Sequence, residues 1–112
     1  MNFGEAKKLI LQEGSGTAGI VAAARRGDEP PKARMEDLLH AIDVYYRITR
    51  SEREIDKKMA SALFNLAYHT GYHVGEWTRR GSIYRKDLVE REIPMLVSAV
   101  ESVFNRMRIE GE

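Results

Sequence analysis

The most regular stretch of the chain lies between Ser51 and Gly81. Ile55, Met59, Ala62, Leu63, Leu66, Thr70, His73, Val74 and Trp77 recur close to the helical period and mark one apolar face. Ala60, Phe64, Ala67, Gly71 and Gly75 fall on another side. Ser51 with Glu54 has the spacing of a capping box, and Arg79-Arg80 before Gly81 suits a helix C-terminus. The pattern predicts a helix over 52–80, about 40 Å long and buried on two sides. A glycine inside a helix costs about 1 kcal/mol relative to alanine. Gly71 and Gly75, in line with Ala67, therefore predict a small-residue stripe on which another helix packs closely. That helix would be the Ala/Gly-rich segment Thr17–Arg26 or a second subunit.

Two further amphipathic patterns flank this one. Met35, Leu38, Leu39, Ile42, Tyr45, Tyr46 and Thr49 share a face after the break at Asp28-Glu29-Pro30-Pro31, predicting a helix over 32–50. Its short joint to the next helix predicts an antiparallel hairpin. Val89, Ile93, Leu96, Val97, Val100, Val103, Phe104 and Met107 predict a last helix over 87–109, with Pro94 early inside it. Residues 1–27 predict two short helices, one ending at Gly14 and one closed by Gly27. No segment shows the period-two alternation of a strand. The expectation is one all-α domain over 1–112, a small irregular helical bundle of three main helices plus one or two short N-terminal ones.

Charge narrows the function classes. The 112 residues carry 18 lysines and arginines against 17 aspartates and glutamates, a net charge of +1. No global field points to nucleic acid or an anionic membrane. The absence of cysteine excludes disulfides, thiolate zinc sites and cysteine nucleophiles. No apolar run approaches the ~20 residues of a membrane span, and Leu9-Ile10-Leu11 is too short for a secretory segment. A cytoplasmic protein with no membrane partner is expected.

Four motifs invite a chemical reading. Gly14-Ser15-Gly16-Thr17-Ala18-Gly19 is a literal G-x-G-x-x-G string. A dinucleotide site needs a following strand and an acidic residue about 20 positions on. A double proline and a helical run follow instead, so the string reads as a hinge, with no nucleotide or other cofactor expected. His69, His73 and Glu76 lie near one helix face, and histidines four apart can chelate one metal. The competing reading is a buried, hydrogen-bonded His73 with His69 at its rim. Arg34 and His40 have a spacing that resembles, over one heptad, the arginine–histidine pair of HEPN-type ribonucleases. In that family the pair lines an interior cleft, whereas here His40 falls on the far side of its helix, as part of a solvated face with Asp43 and Arg47. Finally, Arg79, Arg80, Tyr84, Arg85 and Lys86 gather in one interhelical loop, where they could grip phosphates and stack a base. Arg25, Arg26, Lys32 and Arg34 form a second basic group at another junction. The paired carboxylates Asp87, Glu90 and Glu92 read as surface charge.

The leading expectation is a non-enzymatic helical interaction module, either a homo-oligomer or a small subunit of a larger assembly. Its contact residues would be Ala67, Gly71 and Gly75, with Tyr68 and Tyr72 as flanking anchors. The alternatives are a nucleic-acid-associated subunit using the loop 79–86 and a metal-binding bundle using His69, His73 and Glu76.

Overall fold

The computed structural model describes residues 1–106 and the backbone of Arg108–Ile109. Met107 and Gly111 lie outside the described residues. Helix α1 (Phe3–Ser15) starts at Asn2, whose side chain accepts the Glu5 N–H at 2.8 Å. A tight turn leads to the short α2 (Ile20–Arg25), and α3 (Lys32–Ile48) follows Pro31. The central helix comes next. It consists of α4 (Lys57–Phe64), a π-helical turn (Asn65–His69) and α5 (Thr70–Arg79). A second π turn (Leu88–Glu92) opens α6 (Ile93–Arg106). The fold is an all-α bundle.

The core is built from Ile10, Met35, Leu38, Met59, Leu63 and Leu96, with Ile42, Leu66 and Val100 beside them, all essentially inaccessible. Helix α1 packs along both α3 and α4, and α6 packs along α3 and the first π turn. The expected hairpin between the 32–50 helix and the central helix is therefore replaced by a different arrangement. Helix α3 and the central helix sit on a diagonal, with α1 and α6 filling the sides.

The central helix begins later than residue 52. Asp56, not Ser51, is its N-cap and accepts the Met59 N–H at 2.9 Å. Residues ahead of it are drawn away, because β1 (Glu54–Ile55) pairs in parallel with β2 (Arg108–Ile109). This two-residue ladder departs from the expectation of no strand. It also ends the last helical run before 109.

The π turns follow from local chemistry. Pro94 has no N–H, and its ring would collide with the carbonyl one turn back in a regular helix. Winding Leu88–Glu92 more slowly relieves that collision, and the Ile93 N–H reaches Leu88 O instead. In the central helix Ala62, Leu66, Thr70 and Val74 are all buried at four-residue intervals. Each such step drifts about 40° round an α-helix. The slow turn at Asn65–His69 takes up that drift, and the Asn65 side-chain amide fixes it to α1 by donating to Gly14 O at 3.2 Å.

Close helix approach occurs at a different glycine from those expected. A Cβ on Gly14 would lie 2.5 Å from Ala62 O, so α1 and α4 touch backbone to backbone there. A Cβ on Gly71 would only reach ordinary contact with Ile93, at 3.4 Å, and one on Gly75 would meet nothing within 4 Å. The Ala67/Gly71/Gly75 stripe is thus not a close-packing seam within the chain. Helix α2 does dock on α5, but through Trp77, whose indole N–H donates to Arg25 O at 3.1 Å.

Candidate functional site

The basic loop proves to be a clasp. Arg85 forms a salt bridge with Glu92, a side chain with 0% exposure, and donates to Pro30 O at 2.8 Å. Its backbone N–H donates to Glu29 Oε2 at 2.8 Å, and Tyr84 Oη donates to Gly27 O at 3.3 Å. These contacts hold the α2–α3 turn against the start of the last helical run. Arg79 pairs with Glu76, Lys86 lies 3.8 Å from Glu90, and Arg80 stacks over the Trp77 ring at 5.2 Å. Three of the four cations in the second basic group, all but Arg25, are answered in the same way. Arg26 pairs with Asp28, Lys32 with Asp87, and Arg34 with Glu13. Glu92, expected at the surface, is instead the buried centre of the clasp. Two hydrogen bonds from Arg91 hold the Asp87 carboxyl down at about 2.

Arg34 also holds the glycine string in place. Arg34 binds Glu13 and donates to Ala18 O at 2.9 Å, locking the α1–α2 turn. The N–H groups of Gly16 and Gly19 bond Gln12 O and Gly16 O, so they face inward carbonyls. Arg34 is therefore a structural tie, while His40 is exposed on the far side of α3.

A different surface leaves its groups without partners. Phe64, Tyr68 and Tyr72 stand along the outer side of the central helix at 48%, 44% and 61% exposure. Phe64 was expected on a buried face. In a regular helix these four-residue steps would carry the rings progressively round the axis. The π turn between Phe64 and Thr70 offsets the drift and sets them in a row. Phe64 and Tyr68 are 4.8 Å apart, Phe64 and His69 5.8 Å, and Tyr72 and His73 5.4 Å, and the His69–His73 pair joins the two groups into one ridge of five rings. Tyr68 and Tyr72 belong to this ridge. Ala67 lies beneath it, buried, while Gly71 and Gly75 are half-buried.

His69 and His73 are neighbours here, with ring centroids 6.2 Å apart. Glu76 does not join them, since its carboxylate is held by Arg79. Among the described residues no group of three His, Asp or Glu side chains is placed to hold a metal ion. His73 Nε2 is buried and has no hydrogen-bond partner among the described residues. Burial first, then the charges of Arg25 and His69, push this imidazole below its ordinary 6.5. Sequence reasoning missed Arg25 as a member of this cluster. It sits on α2 and reaches the histidines only because α2 docks on α5.

No family model, curated protein or solved structure matches this chain. Among the described residues no helix is long and apolar enough to cross a membrane.

Proposed function

We propose that the chain is a non-enzymatic docking module that presents the Phe64–Tyr68–Tyr72 ridge to another protein subunit. One observation carries this reading. Three large aromatic side chains are roughly half exposed in a row, on a helix whose opposite side is the core of the bundle. Aromatic residues with two side-chain torsions give large contact area for little ordering entropy, and they dominate binding energy at interfaces. A ridge fixed by a π turn arrives already ordered, which lowers the entropy lost on association. The loop 79–86 supports a nucleic-acid reading less well, because its arginines, lysine and tyrosine already have partners within the fold.

Selection from a random peptide library on the immobilised full chain tests the proposal. Binders are expected whose capture falls at least about tenfold when Tyr68→Ser and Tyr72→Ser are combined, a loss typical of one hot spot. Circular dichroism should show an unchanged fold. Binders that ignore both substitutions would remove the ridge from consideration. Light scattering over a concentration series supplies the second arm, since self-association that these substitutions abolish would make the partner another copy.

A further inference from the structure

Resting on that reading of the ridge, we propose that its partner is an acidic amphipathic segment of another protein, laid along the central helix with carboxylates over two cationic ends. Three shallow clefts adjoin one another along the exposed side of the central helix, the first on its α1 flank and the second on its α6 flank. The first, of about 450 Å³, is bordered by Lys57 and Lys58 at the start of α4. It shares Lys57 and Ser61 with the second, an apolar cleft of about 480 Å³ walled by Ala60, Phe64 and Phe104. That one shares Tyr68 with the third, of about 500 Å³, bordered by Arg25, His69 and His73. From Lys57 to His73 the lane is about 24 Å long, some four turns of a partner helix.

The lining of this lane differs in charge from that of the clefts elsewhere, where Glu13 and Asp37 line one and Asp43 another. Among the described residues no aspartate or glutamate lines any of the three clefts, in a chain with 17 carboxylates against 18 cations. Arg26, Arg34, Arg47, Arg79, Arg85 and Arg91 each have a carboxylate within salt-bridge distance. Among the described residues Lys57, Lys58 and Arg25 have none, as is also true of Lys7, Lys8, Arg50, Arg53, Arg80 and Arg106 elsewhere, but only the first three border clefts free of described carboxylates. The lane is therefore apolar in the middle and positive at both ends. An amphipathic helix with apolar side chains on one face and acidic residues toward its two ends complements it in both respects.

A second copy of this chain fits the lane less well. A two-fold axis through the ridge sets Lys57 and Lys58 against their own images in one orientation and against Arg25 in the other. Like charges meet either way. A single-stranded nucleic acid needs cations along its whole track and free ring faces for stacking. Here Lys57 is the only cation lining the middle cleft among the described residues, and the rings lean on one another.

The test uses the folded full chain, observed by nuclear magnetic resonance. It is titrated with an amphipathic peptide of about 16 residues carrying leucines on one face and glutamates near both ends. An isosteric peptide with glutamine for each glutamate and an oligothymidylate serve as comparisons. The acidic peptide should perturb Tyr68, Tyr72 and His69, and bind at least about tenfold more tightly than the glutamine peptide. Combining Lys57→Glu with Lys58→Glu should abolish that preference. Equal binding of both peptides at the ridge overturns the acidic partner but leaves the docking ridge standing. Tighter binding of the oligothymidylate at the ridge overturns it in favour of nucleic acid. No perturbation of the ridge by any probe overturns both the partner and the docking role.

Discussion

Residues 79–86 and residues 64–72 are the two chemically conspicuous stretches of the central helix and its sequel. They differ in where their groups find partners. In the first, the buried Glu92 holds Arg85, Glu29 takes the Arg85 N–H, and Trp77 lies under Arg80. In the second, Phe64 leans on Tyr68, Tyr72 leans on His73, all three large rings are about half exposed, and the buried nitrogen of His73 has no partner among the described residues. A basic loop in a sequence is an electrostatic invitation only until the fold supplies the acids. A row of tyrosines reads as ordinary amphipathic pattern until the fold leaves it uncovered. The inventory of satisfied and unsatisfied groups, not residue type, separates scaffold from contact surface.

That contrast can be broken most forcefully at its buried end. Glu92→Gln leaves the Arg85 guanidinium facing a neutral amide inside the clasp, and unfolding in denaturant should show a loss of about 3–5 kcal/mol. A loss below about 1 kcal/mol, the scale of an exposed pair, would mean the clasp is surface electrostatics after all. The glycines come next. Gly14→Ala drives a methyl group into the Ala62 carbonyl and should destabilise by about 1–3 kcal/mol. Gly75→Ala meets open space and should stabilise by up to about 1 kcal/mol. The reverse order would restore the small-residue stripe as the tight seam.

A smaller effect concerns pH. His73 binds a proton less readily in the fold than in the unfolded chain, so its neutral form is the one compatible with the native packing. Its contribution to stability is complete above the ordinary value of 6.5 and is lost as pH falls through it toward the lowered native value. Unfolding free energies measured between mildly acidic and neutral pH should fall on the acid side, and His73→Gln should flatten that dependence. An unchanged slope in the variant would place the titrating group elsewhere. The smallest change is expected where the sequence looked most functional. Replacing Arg80 by alanine removes only a stacking contact and should alter stability by less than about 1 kcal/mol. Capture of ridge-binding peptides should not change.

Much of the fold was legible because helices obey a period. The apolar positions of α3 and α6, the prolines ahead of α3 and the glycine after α5 place these elements within a few residues. The start of the central helix was not, because Ser51 and Asp56 are both competent caps and the choice depends on β2, more than 50 residues away. The π turn left one trace, the four-residue spacing of Ala62, Leu66, Thr70 and Val74, which the periodicity assigns to one face although a regular α-helix would spread them over about 120°. Tyr68 and Tyr72 could be singled out by residue type, but their exposure in a row depends on the fold. Arg25 could not be, since nothing local links it to His73. Glu92 was misread because its neighbours in sequence are exposed charges and its partner lies across a turn.

Trp77 has a practical consequence. It is the single tryptophan of the chain, and it sits at the joint where α2, α5 and the Gly27 turn meet. Excited where tyrosine does not absorb, its fluorescence comes from that joint and nowhere else. Release of α2 would hand the indole N–H from Arg25 O to water and shift the emission to longer wavelength. The molecule therefore carries its own optical reporter, about one helical turn from the aromatic ridge, able to time the opening and closing of that joint without any added label.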